Sequence, residues 1–573
     1  MFIKFFFEKK LPNKFLFVKL YYIMINFLKK NIYFFGILLF AVLAVVITFQ
    51  HNIGLIIDCG REAYYPQEIL NGKVLYKDLF TIYAPFAYLF NAFLYKIFGI
   101  NLNVLCAAGS VCAISIIAGI FLITEKLLNS KIAFCISIFA IVIGIFPVHV
   151  FNYVFPYAFS MTYGLAAFVF SLLFLICYIN KKSNIYVYLS LFLAGLSVCC
   201  KYEFLPYLFV YVPVFLRLKP NFNVIFKGLL SFGLIPEMCF AFLFAKGLTL
   251  HALINSINII LNMSNTQTLK YFYMHSGVFP HKFTVILVIS TFLALFVPFF
   301  VYITPILFKN KIKNRIVPVI CTYTAFCLMI LFKNGLAYDI FFSMTIVLFF
   351  AAFANYKKLL ENLSLFVVVI SVLLISIKVF WGILLNSYGI YYLPFIIIAI
   401  AFIFKDRFTE EEWNHIAFYV LVLAFLIGFN NLSLISAKKT VISTLKGKIF
   451  VEKKYETTNQ LLDFIQKNTA KNDKIVIFPE GMMINFLSER KTDDFYNSFL
   501  PLYEETFGVG NFREHFEKNM PEYIIFNSWN SSDYYFSIIC EDYGFDFCEF
   551  VKKNYNEKIK LSGDFSYIIF KKK

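Results

Sequence analysis

Long apolar runs alternate with short basic or polar segments over most of the chain. A helix needs about 20 mostly apolar residues to cross the hydrocarbon core of a bilayer. Runs of this kind fall at 31–50, 104–124, 131–148, 157–179, 185–200, 203–218, 224–246, 283–308, 316–332, 338–355, 363–385, 388–404 and 414–435. The pattern predicts a polytopic α-helical membrane protein of about 13 spans over residues 31–436, with only a very short gap at Cys200-Lys201. Phe86 to Gly99 is too short for a span and reads as an amphipathic helix lying in the interface. Residues 1–30, rich in Phe and Lys, predict a basic cytoplasmic segment, with Met24 a second possible start.

Over 437–573 the pattern becomes that of a soluble domain. Thr457 to Thr469 has a helical period, and Lys474–Phe478, Tyr523–Phe526 and Tyr567–Phe570 are short apolar strands. These predict a small α/β domain. It contains no GxGxxG and no P-loop, so a nucleotide site is not expected there.

Composition agrees: 60% of the 573 residues are hydrophobic and only 15% charged, with a mean hydropathy of +0.74. The net charge of +18 raises a nucleic-acid reading, which its location removes. Residues 437–573 hold 20 basic and 20 acidic side chains, so the whole excess lies among the apolar runs. With the N-terminus inside, the cytoplasmic segments take 22 of the 32 basic residues of the membrane part. That is the positive-inside bias, and it predicts a multi-pass protein of the cell (inner) membrane with its α/β domain extracytoplasmic. The expected partners are then membrane lipids and not nucleic acid. The 12 cysteines show no CxxC spacing and read as small buried hydrophobes, although Cys540 and Cys548 would be able to pair in an exported domain.

Two outer loops are long, 51–103 and 247–282. The six acids expected on the outer side are Asp58, Glu62, Glu68, Asp78, Glu203 and Asp339, and four of them lie in the first loop. In Asp58-Cys59-Gly60-Arg61-Glu62, the Asp58 carboxylate suits a general base for an acceptor hydroxyl or amine, and equally a helix cap. Glu62 lies one turn on, on the same helical face. Arg61 suits bidentate capture of a phosphate, or anchoring to headgroups. Tyr76 and Asp78 read as a turn. Lys201 and Glu203, at the outer end of two spans, are either substrate contacts or an ion pair. Glu237, after Pro236 within a span, fits a proton relay or packing at a Pro kink. His251, His275 and His281 are too scattered to predict a metal site.

The first loop, with Asp58-x-Gly60-Arg61-Glu62, Pro66, Gly72 to Asp78 and Tyr83-Ala84-Pro85-Phe86-Ala87-Tyr88, resembles that of bacterial GT-C glycosyltransferases, relatives of the protein O-mannosyltransferases and lipid A aminoarabinose transferases. Phe155-Pro156-Tyr157, Gly195-Leu196 through Lys201-Tyr202-Glu203, and Phe478-Pro479-Glu480-Gly481 extend the resemblance over nearly the whole chain. It implies inverting transfer of a sugar from a polyprenyl-phosphate donor to a glycan, lipid or protein acceptor on the outer face. Asp58 matches the family's catalytic acid, and the donor phosphate would meet Arg61 or Lys201, with Glu62, Tyr83 and Glu203 as further substrate contacts. The usual Tyr-Gly-Pro is Tyr83-Ala84-Pro85 here, and the second acid that some relatives carry in the next outer loop is missing from His149 to Pro156. That departure leaves a divalent metal cofactor and the acceptor class open. The alternative is a glycan polymerase, ligase or carrier-lipid flippase, which would place essential charges such as Glu237 within the spans. A transporter is disfavoured by the few ionisable residues in the spans and the lack of an evident inverted repeat.

Overall fold

The computed structural model describes residues 31–275, 344–377 and 387–573. Helix α1 (Ile32–Thr48) leads into the first loop, which holds α2 (Cys59–Leu70) and α3 (Phe86–Phe98). Helices α4 (Leu102–Leu127), α5 (Ser130–Gly144), α6 (Phe159–Lys181) and α7 (Asn184–Cys200) follow, then α8 (Tyr211–Leu218), α9 (Phe222–Ala245), α10 (Leu250–Asn265) and α11 (Gln267–His275). After the next described stretch, with α12 (Met344–Ala354), α13 (Tyr356–Glu361) and α14 (Leu363–Ile375), come α15 (Gly389–Ile403) and α16 (Glu410–Ala437).

Four of these, α4, α6, α9 and α16, are long and apolar enough to cross a membrane, and seven more are apolar helices of 10–17 residues. The runs at 283–308 and 316–332 lie outside the described residues. Helix α9 points Phe226, Leu230, Leu234 and Met238 outward at four-residue intervals. A helix apolar on its outer side as well as its inner one suits lipid rather than water. Helices α6 and α7 pack along their length, and Ser171 and Ser190 each donate a hydroxyl to the other's backbone carbonyl at 2.7 Å. Such paired small polar residues join helices where apolar contact alone drives little association.

The run at 203–218 is not one helix. Tyr202–Val210 is a 3₁₀ segment containing Pro206, and only Tyr211–Leu218 is α-helical. Proline supplies no N–H to an α-helical ladder, and the backbone takes the tighter winding instead. Helix α3 is amphipathic as its pattern predicts, burying Ala87, Tyr88, Asn91, Ala92 and Tyr95.

The C-terminal domain begins with a hairpin, β1 (Thr440–Thr444) and β2 (Gly447–Val451), followed by α17 (Thr457–Asn468), β3 (Ile475–Phe478) and α18 (Met482–Ser488). Helices α19 (Pro501–Phe507) and α20 (Val509–Lys518) precede β4 (Tyr523–Asn527), and α21 (Phe545–Asn554) precedes β5 (Tyr555–Leu561) and β6 (Tyr567–Lys572). The main sheet runs β3-β4-β6-β5, with β3 and β4 parallel and the other neighbours antiparallel. All three strands expected from the pattern are present. Strand β5, Tyr-Asn-Glu-Lys-Ile-Lys-Leu, is an additional edge strand; its exposed charged positions hide it from an apolar-run reading. Cys540 and Cys548 form a disulfide, so these two are not buried free thiols, whereas seven of the eight free cysteines among the described residues are buried.

Candidate active site

The first loop and the C-terminal domain meet at the start of α2. Gly60 makes the approach possible, because a Cβ there would overlap the backbone nitrogen of Met483 at the start of α18. Tyr64 and Tyr65 strengthen the contact. The Tyr64 hydroxyl accepts from the Thr492 amide at 3.2 Å, and that of Tyr65 accepts from the Asn497 side chain at 3.0 Å. On the other flank, Glu505 accepts from the Gln267 and Thr268 amides at 2.8 and 3.0 Å, tying α11 to the same domain.

Asp58 is the residue before α2, yet its side chain makes no capping bond. Its backbone stands at φ 61°, ψ −59°, and the Ile57 carbonyl accepts from the Cys59 amide at 2.7 Å. That is a γ-turn of the rare positive-φ kind, strained for any residue with a Cβ. Glu480 holds the turn from across the interface, its Oε1 accepting the Asp58 N–H at 2.9 Å. The cap expectation therefore fails in its side-chain form. The carboxylate is left 30% exposed and faces Arg61, whose Nη2 donates to Oδ1 at 3.2 Å.

Arg61 is fixed on several sides. Nη2 also donates to the Tyr157 carbonyl at 3.1 Å, and Nε donates to the Tyr88 hydroxyl at 3.1 Å and Glu62 Oε1 at 3.4 Å. Glu62 is 1% exposed. Its Oε1 accepts from Tyr88 at 2.9 Å and its Oε2 from the Phe159 amide at the start of α6 at 2.8 Å. Both carboxylate oxygens are thus engaged by protein donors, and Glu62 reaches the site through Arg61.

Tyr83 lies between two cations, with the Arg61 guanidinium carbon 5.2 Å and the Lys201 ammonium 5.7 Å from its ring centroid. Lys201 also faces the rings of Tyr157 and Tyr388, donates to the Tyr157 hydroxyl at 2.5 Å and pairs with Glu203 at 3.0 Å. The ion-pair expectation for Lys201 and Glu203 holds. So Asp58, Arg61, Glu62, Tyr83, Lys201 and Glu203 form one connected cluster. Asp78 lies apart as turn architecture, accepting the Val74 amide at 2.8 Å. Glu237 is exposed on α9 and away from this cluster.

Burial sets the electrostatics. It pushes the Asp58 carboxyl above its ordinary value, with Arg61 pulling the other way. It does the same to Glu62, and raises Glu480 to about 8, helped by the neighbouring Asp58 charge. Glu480 and the hydroxyls of Tyr503 and Tyr534, all from the C-terminal domain, belong to this electrostatic cluster. None of the three has a local signal for a role. The one available cue is that Glu480 follows the carboxyl end of β3, where open sheets commonly bind ligands. Among the described residues no group of three or more His, Cys, Asp and Glu side chains is placed to hold a metal ion, so no catalytic step is derived through one.

The fold and the site define a multi-helix protein of membrane type whose acidic–basic cluster is closed over by an α/β domain. No protein-family model matches the chain, and no curated protein matches it by sequence. Among solved structures it is similar to ArnT from Cupriavidus metallidurans bound to undecaprenyl phosphate, at 10% identity over 94% of this chain and 98% of that one, with a TM-score of 0.45. It is also similar to the Archaeoglobus fulgidus oligosaccharyltransferase in complex with Zn and sulfate, at 14% identity over 85% of this chain and 67% of that one, with a TM-score of 0.47. Both are GT-C glycosyltransferases. At such TM-scores the likeness carries no argument about activity, which rests on the residues.

Proposed function

We propose that the chain is a membrane glycosyltransferase that moves a sugar from a polyprenyl-phosphate-linked donor to an acceptor on the outer face of the cell membrane. The observation that carries this reading is the arrangement around Tyr83. A partly exposed carboxylate, Asp58, sits in a strained turn beside a fixed guanidinium, and a second cation, Lys201, stands on the same ring. Group transfer from a phosphate needs these parts: a base for the incoming nucleophile and fixed positive charge for the leaving oxygens.

In this mechanism Asp58 takes the proton from an acceptor hydroxyl or amine as its heteroatom attacks the anomeric carbon. The bond from that carbon to the phosphate oxygen breaks on the opposite side, and the configuration inverts. The polyprenyl phosphate leaves with its new charge matched by Lys201 and Arg61. Glu62 is a positioning residue, because its bonds to Tyr88 and Phe159 hold Arg61 against the start of α6. A carboxyl held above its ordinary value by burial is the stronger base once ionised. The apolar helices suit the prenyl chain, and the Cys540–Cys548 disulfide fits an oxidising compartment, in keeping with the outer-face topology read from charge.

The test is lipid profiling of a strain lacking the gene. Accumulation of a polyprenyl-phosphate-linked sugar, reversed by the wild-type gene, is expected. An unchanged lipid-linked sugar pool contradicts the reading.

A further inference from the structure

Behind Arg61, on the C-terminal-domain side, lies a pocket with an empty volume of about 380 Å³, its open mouth included. Arg61 and Thr81 from the first loop and Glu480, Asn497, Ser498 and Tyr503 from the α/β domain line it, and Phe80 and Phe495 supply aromatic walls. Lys201 is not part of it.

Its polar groups are incompletely used. The Ser498 hydroxyl is buried with no hydrogen-bond partner among the described residues, an arrangement that costs about 1–3 kcal/mol for a group of this kind. Asn497 donates its amide to Tyr65 and to the Asp494 carbonyl, both at 3.0 Å, and its own carbonyl oxygen accepts nothing among the described residues. Glu480 takes the Asp58 amide on Oε1 alone. A hydroxyl donor, an amide acceptor and a carboxyl oxygen thus converge between apolar rings. Neutral hydroxyls both donate and accept, so they can satisfy all three.

Charge decides which ligand this side takes. Asp58, Glu62 and Glu480 surround the single guanidinium of Arg61, so the environment repels a phosphate. Lys201, across Tyr83, supplies the positive charge on the opposite side.

We infer that this pocket is a saccharide subsite, holding the ring of a hydroxylated acceptor so that one of its hydroxyls reaches Asp58. The inference rests on the glycosyltransferase reading and adds to it that the acceptor is itself a sugar, recognised by the α/β domain. The phosphate of the donor then occupies the Lys201 side and the acceptor the Glu480 side, with Arg61 between them.

Saturation-transfer NMR on the full-length protein in lipid nanodiscs, with a panel of methyl glycosides as probes, tests this. Wild type is expected to saturate at least one glycoside. Ser498→Leu and Asn497→Leu, which fill the pocket and remove its open polar groups, are expected to lower that signal at least fivefold while leaving polyprenyl-phosphate binding intact. Added polyprenyl phosphate should not displace the glycoside. Equal signals in wild type and both pocket variants, displacement by polyprenyl phosphate, or no signal from any glycoside overturns the subsite. Failure of the wild-type protein to bind polyprenyl phosphate in the same nanodiscs overturns the glycosyltransferase reading instead, so the two outcomes are separable.

Discussion

Lys201→Met separates phosphate binding from local structure. The Lys201 side chain is 5% exposed and Met keeps most of its apolar stem. What is lost is one charge beside the three tyrosine rings and the bond to Glu203. A hydrogen bond to a charged group contributes about 1.5–3 kcal/mol. At roughly 1.4 kcal/mol per tenfold, the affinity for polyprenyl phosphate should therefore fall about 10- to 150-fold. Glu203 supplies the internal control. It competes with a phosphate for the same ammonium, and its side chain is 28% exposed, so the pair is worth only about 0.2–1 kcal/mol. Glu203→Gln should then tighten binding about two- to fivefold. Calorimetric titration of the nanodisc-embedded protein with polyprenyl phosphate measures both. A change below threefold in Lys201→Met, or weaker binding in Glu203→Gln, refutes the placement of the phosphate.

Three more outcomes follow from the geometry. At pH 7 the Asp58–Glu480 pair should hold one proton, because burial raises both acids and Glu480 titrates at about 8; an infrared band of a protonated carboxyl, lost as the pH rises through about 8 and absent in Glu480→Gln, is the expected signature, and no such band in wild type contradicts it. Asp493, buried and bonded to His515 and Lys474 at 2.8 and 2.7 Å, is held below its ordinary value mainly by those partners against the cost of burial. A depressed acid stabilises the fold above its unfolded value and loses that contribution as the pH falls through the folded one. Asp493→Asn should thus destabilise the C-terminal domain by about 3–5 kcal/mol at neutral pH, read by hydrogen exchange, with the gap from wild type narrowing below about pH 4; a gap independent of pH is evidence against the pairing. Gly60→Ala should force α2 away from α18, abolishing transfer and speeding proteolysis in the segment before the C-terminal domain, whereas wild-type transfer rates would show that the close contact is dispensable.

The sequence makes some of this legible and not the rest, for identifiable reasons. Apolar runs mark helices wherever packing does not interrupt them, and the α/β strands are visible because each buries a whole apolar run, as at Ile475–Phe478. The break at Tyr202–Val210 is carried by Pro206 inside an otherwise apolar stretch, which a hydropathy reading passes over. Asp58, Arg61 and Glu62 stand out because outward acids are scarce and neighbours in sequence share a helix. Glu480 does not: it meets Asp58 across 422 residues, and no local pattern encodes that encounter. The same holds for Gly60, whose requirement is a backbone on α18. The division of roles among the charged residues follows only from the bonds. Glu62 has both oxygens occupied, whereas Asp58 remains partly open.

The central claim is that Asp58 activates the acceptor. The most direct test is Asp58→Asn in the purified full-length protein, comparing sugar transfer with polyprenyl-phosphate binding in the same preparation. A general base contributes about 10²–10⁴-fold, so transfer should fall by at least a hundredfold while phosphate affinity stays within a few-fold of wild type. Transfer at the wild-type rate, with donor binding intact, would contradict the account.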